Sequence, residues 1–254
     1  MKPISQYLPT KLKRWIKLFI RPDNVAVLPG KICYEDDGFA TIHNADFRSN
    51  PKFNAAYENG LATKSWTNIA WRAHIIAWAA EYALALEGDF IECGVNRGGY
   101  SKLIVDYVNF KNQNRKFYLL DTFKGLDLKY VSDAEKKRGI MDAYKYEDCY
   151  QAVQDTFKDY SNVILIKGAV PETLPQVISR QIAFVSIDMN CVEPEIAAAT
   201  AFWDRLVVGG IIVLDDYGHP LHIEQKLAFD RFAAEHGVTI LSLPTAQGII
   251  IKPH

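Results

Sequence analysis

The sequence predicts an α/β fold, a mostly parallel sheet covered by helices on both faces and closed by an antiparallel hairpin. Three observations predict it. Short, near-continuous apolar runs recur at 89–94 (DFIECG), 116–123 (KFYLLDTF), 162–168 (NVILIKG), 182–190 (IAFVSIDMN) and 209–218 (GGIIVLDDYG). Strands of that kind are buried on both faces. Helix-like stretches near 99–110, 146–159, 171–180 and 193–206 separate them, which is the βα alternation of a parallel sheet. The last two apolar runs, TILSLP (239–244) and GIIIKP (248–253), are joined only by TAQ, too short for a helical crossover, so they form a hairpin.

The elements follow in order. The N-terminal segment is expected to hold an amphipathic helix over residues 8–20. Leu8, Leu12, Trp15, Ile16 and Phe19 share one face, and Lys11, Lys13, Arg14 and Lys17 lie largely elsewhere. It lacks the apolar centre and small-residue cleavage site of a signal peptide. Docking on its own domain or on a second subunit is the leading expectation, with contact to a membrane surface the minority one. Residues 22–65 mix Pro, Gly, Asn and Asp with short apolar pieces and read as irregular structure that includes at most a short strand or helix. Residues 67–88, Ala-rich and free of internal proline, read as a helix closed by Gly88. The expected division is an extension at 1–65, serving as lid or oligomer contact, and a catalytic domain at 66–254.

Bulk properties bound the function. Of 254 residues, 49% are hydrophobic, enough for a large core, and the net charge of −1 asks for no nucleic-acid partner. The four cysteines, Cys33, Cys93, Cys149 and Cys191, form no CxxC, which fits a reduced, cytoplasmic protein. No apolar run reaches the roughly 18–20 residues of a membrane span. Repeats and low-complexity tracts are absent.

Sheets of this kind bind ligands at the carboxyl ends of their strands. Glu92 and Gly94 end the first apolar run, Asp121 the second, Asp188 the fourth, and Asp215 and Asp216 the fifth. Each acid alone could be structural, Asp121 as a helix cap and Asp215 as half of an ion pair. Together they would make one strongly negative rim. The turn Glu92–Gly99 reads E-x-G-x-x-x-G-G, with Gly94 and Gly98 four apart, and places Asn96 where the dinucleotide fingerprint needs a glycine. An acid before the turn repels phosphate and suits an amine or sulfonium. Asp121 is placed to accept from ribose hydroxyls. Acid, glycine turn and acid together fit S-adenosylmethionine. Asp188, Asp215 and Asp216 are hard oxygen donors from neighbouring strands and fit Mg²⁺, or Mn²⁺ or Ca²⁺. A divalent ion there would stabilise an alkoxide and aim it at a methyl donor.

On these residues the sequence resembles the class I, S-adenosylmethionine-dependent O-methyltransferases of the macrocin, mycinamicin and novobiocin type. The matching stretches are GDFIECGVNRGG (88–99), LLDTFKGL (119–126), VILIKGAVPETLP (163–175), VSIDMN (185–190) with Glu193, GGIIVLDDYG (209–218) and LPTAQGIIIK (243–252). The resemblance implies a Rossmann-like, seven-stranded methyltransferase sheet with a reversed last strand. It implies that Glu92, Cys93, Gly94, Val95 and Asn96 face the methionine part of the cofactor, that Asp121 holds the ribose, and that Thr122 and Phe123 lie along the adenosine. It further implies Asp188, Asp215 and Asp216 as Mg²⁺ ligands, and Thr67 with Asn68 as closing over the cofactor. The acceptor would be a small-molecule hydroxyl, of a sugar or polyol, and the enzyme a homo-oligomer. The loop 127–148, with Tyr130, Tyr144 and Tyr146, is expected to border the acceptor as a lid or to be a solvated insertion.

One position departs from the family. Its fourth-strand motif runs Asp-x-Asp, and the second acid is the proposed base; here that position is Asn190, and an amide takes no proton at neutral pH. The lysine of catechol-type relatives is replaced by Cys191. His219 is the first substitute base, with Glu193 and His222 next; the metal could instead acidify the acceptor enough for solvent to take its proton. The alternative function is a cofactor-binding protein with altered or lost turnover. Nicotinamide-dependent oxidoreduction is weak, since the fingerprint is missing.

Overall fold

The computed structural model describes residues 30–36, 38–65, 69–143 and 147–254. The helix expected at 8–20, the cofactor contact expected at Thr67 with Asn68, and Tyr144 and Tyr146 lie outside the described residues. The chain divides into two compact units at Ala45 and Asp46, each taken by itself. In the first, β1 (Tyr34–Asp36) and β2 (Phe39–Thr41) pair as a short antiparallel hairpin.

The second unit opens on α1 (Pro51–Ala62), in a segment that reads as irregular in the sequence. Asn50 supplies the cap, its side chain accepting from the N–H groups of Lys52 and Phe53, and Pro51 occupies the first helical position, where its missing N–H costs nothing. Phe53, Ala56 and Gly60 are buried along α1. Next, α2 (Ala70–Ala83) is shorter than the expected 67–88 and is capped at Leu84 rather than at Gly88. It is apolar nearly all round, with Ala73, Ile76, Ala77, Ala80 and Ala83 buried.

The sheet contains β3 (Asp89–Cys93), β4 (Phe117–Asp121), β5 (Val163–Lys167), β6 (Ile182–Ile187), β7 (Leu206–Leu214), β8 (Leu241–Ser242) and β9 (Gly248–Ile251). Their order is β5-β4-β3-β6-β7-β9-β8, parallel throughout except that β9 runs antiparallel to both β7 and β8. The closing hairpin is thus as expected, with a first strand of only two residues. Connecting helices are α3 (Gly99–Tyr107), α4 (Asp133–Lys137), α5 (Ile140–Ala143), α6 (Tyr150–Phe157), α7 (Val192–Trp203) and α8 (Ile223–Glu235). The stretch 171–180, expected to be helical, forms only a short 3₁₀ turn at Leu174–Gln176, because Pro171 and Pro175 remove N–H donors that a longer helix needs. Helix α8, between the fifth apolar run and the hairpin, completes the βα alternation expected from the sequence, which marks no span for it.

Two apolar layers flank the sheet. One packs Phe90, Phe117, Leu119, Phe184, Ile211 and Val213 against α2 and α3; the other packs Ile91, Leu120, Val185, Ile187, Ile212 and Leu214 against α7 and α8. Alternate strand residues therefore point to opposite faces, and both faces are dry. The strand order reverses between β3 and β6, so the crevice falls at the tips of those two strands. No helix of the described residues is long and apolar enough to cross a membrane.

Candidate active site

A cleft of about 1030 Å³ opens at that reversal point, walled by Glu92, Asn96, Asp121, Phe123, Asp188 and Asp216 among others. All five strand-tip acids named from the sequence line it, as do Gly94, Val95, Thr122 and Asn190. The tips are held together by backbone bonds that continue the ladder. Gly94 N–H donates to Leu120 O (2.9 Å), Asp188 N–H to Cys93 O (2.8 Å) and Asp215 N–H to Ile187 O (3.1 Å). Gly94, at φ +89°, is where the chain turns out of β3, and a Cβ there would overlap the Asp188 carbonyl. Gly98, at φ +82°, caps α3.

Cys93 is fully buried below the rim, and burial pushes its thiol far above the ordinary range, so the side chain is core rather than cleft wall. Glu92 is 1% exposed and accepts from the Ser101 hydroxyl on α3. Burial raises its pKa to about 8, against the lowering by Ser101. Asp121 anchors the glycine turn. Its Oδ2 accepts from Val95 N–H (2.6 Å) and Asn96 N–H (2.7 Å), and its Oδ1 from Phe123 N–H (2.6 Å) and the Thr122 hydroxyl (3.3 Å). An acid expected to meet a ribose thus also fixes the loop that the cofactor would touch. Carboxylate oxygens carry spare lone pairs, so both roles are compatible.

One ligand atom from each of Asp188, Asp215 and Asp216 lies within 4.8 Å of the other two. A residue outside the sequence reading completes the cluster. Arg72, on α2 and with no exposed surface, donates from Nη1 to Asp215 Oδ2 (2.7 Å) and Asp216 Oδ1 (3.1 Å). Gln247, in the hairpin turn, donates from Nε2 to Asp215 Oδ1 (3.1 Å). The rim is therefore less negative than five acids alone would make it. Three carboxylates still face one guanidinium there; burial together with repulsion from Asp215 and Asp216 drives the Asp188 pKa well up, and Asp215 rises to about 6 despite Arg72. Three hard donors with unrelieved repulsion are a set that a divalent cation fits.

Asn190 stands at φ +60° and donates from Nδ2 to Asp188 Oδ1 (3.2 Å). An aspartate here would set carboxylate against carboxylate, whereas the amide replaces that repulsion with a hydrogen bond. Beneath this loop, Glu195 Oε1 accepts from Met189 N–H (2.9 Å), Asn190 N–H (3.0 Å) and Gln225 Nε2 (2.6 Å). His219 is half-buried and stands beside Asp216 and His222. The loop from Leu126 contributes Asp127 and Tyr130 to the cleft wall. It folds as a capped turn: Glu135 Oε2 accepts from Ser132 N–H and its Oε1 from Val192 N–H at the start of α7, both at 2.7 Å.

With this geometry in hand, residues 77–242, more than half of the chain, match the family model described as Macrocin-O-methyltransferase (TylF). The chain belongs to the macrocin O-methyltransferase family. Among solved structures, the O-methyltransferase NovP is similar over 79% of this chain and 88% of its own, at 19% identity and a TM-score of 0.67. CalS11, a calicheamicin methyltransferase, matches over 85% and 99% at 17% identity and a TM-score of 0.60. The methyltransferase PaMTH1 of Podospora anserina, solved with S-adenosylhomocysteine bound, matches over 97% and 98% at 14% identity and a TM-score of 0.52. No curated protein matches the chain in sequence. The fold is that of the class I methyltransferases, and this macrocin-family chain is a methyltransferase of the S-adenosylmethionine-dependent class.

The buried acids of this macrocin-family enzyme set its response to pH. Glu92 and Glu195 each titrate near pH 8 in the folded chain, burial being the main cause, against an ordinary carboxylate value of 4.5. The folded state thus holds more protons than the unfolded one between those values. Stability is full below the lower value and is lost as pH rises through the upper one. Thermal unfolding of the ligand-free protein should therefore show a Tm that falls from about pH 5 to about pH 8.5. Glu195→Gln, which keeps an oxygen acceptor for the Asn190 loop, should flatten part of that fall.

Proposed function

We propose that the enzyme transfers the methyl group of S-adenosylmethionine to a hydroxyl of a small sugar or polyol, with Mg²⁺ held by Asp188, Asp215 and Asp216. The observation that carries this reading is that the glycine turn and the carboxylate trio line the same cleft at the sheet's reversal point. A solved neighbour described as a TDP-rhamnose 3'-O-methyltransferase supports a sugar hydroxyl as acceptor.

In this scheme Glu92 and the turn Gly94–Asn96 receive the methionine end, Asp121 and Thr122 the ribose, and Phe123 the adenine. Most of the catalytic effect is in-line positioning and charge control. Bound to the trio, Mg²⁺ would lower the pKa of the acceptor hydroxyl and stabilise its alkoxide. Arg72 and Gln247 keep Asp215 aimed, and the Glu195 bridge holds the Asn190 loop. Asn190 gives one Nδ2 hydrogen to Asp188, and its carbonyl would accept from the acceptor hydroxyl, orienting it without taking its proton. Solvent is then the proton acceptor.

Radiolabelled methyl transfer to a panel of nucleotide sugars and glycosides tests this. Transfer should stop in EDTA and return with Mg²⁺. Transfer that survives EDTA would remove the metal from the scheme; cofactor binding with no transfer to any acceptor would favour the turnover-deficient alternative. The rate should climb with pH without a plateau from a protein base. Asn190→Asp should add such a plateau and raise the neutral-pH rate by about 10²-fold, the lower end of what a general base contributes.

A further inference from the structure

The chain after β7 advances in two consecutive steps of three residues. His219 N–H donates to the Asp216 carbonyl (3.0 Å), and His222 N–H donates to the His219 carbonyl (2.9 Å). Asp216, His219 and His222 are brought together in this way, and one ligand atom from each lies within 4.8 Å of the others. His222 Nε2 stands 3.5 Å from Asp216 Oδ2, and the two imidazole centroids are 5.4 Å apart.

A carboxylate–imidazole ion pair would account for Asp216 and His222 but not for His219. Asp216 also divides its oxygens, Oδ1 toward Arg72 and Oδ2 toward His222. One acid thus serves the carboxylate trio on one side and two imidazoles on the other. His222 is fully buried, whereas the half-buried His219 has a long 3.3 Å contact, from Leu221 N–H to its Nδ1, readily exchanged for a metal.

We propose that Asp216, His219 and His222 form a seat for one borderline divalent transition ion of the Zn²⁺, Co²⁺ or Ni²⁺ class, joined to the carboxylate trio through Asp216. Two imidazoles and one carboxylate are the donor set such ions favour, whereas an all-carboxylate set favours Mg²⁺ and Ca²⁺. The two seats therefore differ in the ions they select. A histidine that ligates a metal has no lone pair left for a proton, so this seat displaces the base role suggested for His219 by the sequence. The proposal goes beyond methyl transfer and stands whether or not the trio holds Mg²⁺.

The test is a Co²⁺ titration of the chelator-treated full chain in excess Mg²⁺, followed by visible ligand-field absorption. The expected result is one equivalent of Co²⁺ with an imidazole-type spectrum that Zn²⁺ abolishes and Mg²⁺ does not. Asp188→Asn should leave the spectrum in place. His219→Ala and His222→Gln should each weaken binding by more than the roughly 10- to 100-fold lost on removing a mere outer-shell partner. His222 is buried, so circular dichroism checks its variant; the half-buried His219 decides the matter if that variant fails to fold. An unchanged Co²⁺ affinity in His219→Ala would overturn the proposal. So would a signal lost in Asp188→Asn and displaced by Mg²⁺, or no signal at all from the folded wild type.

Discussion

Gly94→Ala is expected to lower the Tm by about 10 °C or more and to abolish cofactor binding. Two costs combine. Gly94 sits at φ +89°, and a left-handed backbone costs a residue with a Cβ about 1–2 kcal/mol. That Cβ would also overlap the Asp188 carbonyl across the β3–β6 junction, and relieving such a clash costs about 1–3 kcal/mol more. For a chain of this size, each kcal/mol moves the Tm by about 2–4 °C. The shift needed to admit the methyl pushes Asp188 away from Asp215 and moves the turn that Asp121 anchors. Cofactor and metal affinity should therefore fall together. Calorimetric titration with S-adenosylhomocysteine, alongside thermal unfolding, checks both. A variant with wild-type Tm and affinity would show that the strand tips are not pinched as described.

Arg72→Met should be nearly as damaging, and its damage should be partly reversible. Methionine fills similar space but leaves Asp215 and Asp216 buried without their cation. Breaking a buried pair in this way costs about 3–5 kcal/mol. The fall in Tm should again be about 10 °C. Because the variant's trio has lost a positive neighbour, added Mg²⁺ should raise the variant's Tm by more than it raises that of the wild type. A loss of packing alone would leave that increment unchanged. Arg72→Lys should lie between the two, since an ammonium restores the charge but contacts the two acids as a single point.

The sheet was legible because its strands are buried on both faces and stand out as apolar runs whose polar ends mark the strand tips. Asp121, Asp188 and Asp215 were visible for that reason. Helix α1 was hidden by its composition: Asn50, Pro51, Asn54, Asn59 and Gly60 resemble loop residues, although Asn-Pro followed by Phe53 is also a helix-start signal. Pro171 and Pro175 withhold the N–H donors of a longer helix, so 171–180 makes a single 3₁₀ turn. Arg72 could not be found by local pattern, because its partner Asp215 lies 143 positions away and the helix around it is apolar on every side. Gln247 lies in the short TAQ link, and the hairpin directs it into the cluster. His219 and His222 read singly as bases; their common relation to Asp216 depends on two successive turns that the sequence around Pro220 does not announce.

One cleft is proposed to seat a sulfonium nucleoside beside a hard cation held by three strand-tip acids. Its most direct test is a crystal structure grown with S-adenosylhomocysteine and Mn²⁺, with data collected for the anomalous signal of manganese. The expected result is a manganese peak within coordination distance of Asp188, Asp215 and Asp216, with the nucleoside lying along Asp121 and Phe123. A nucleoside bound elsewhere, or no manganese among those three carboxylates at full cofactor occupancy, would contradict it.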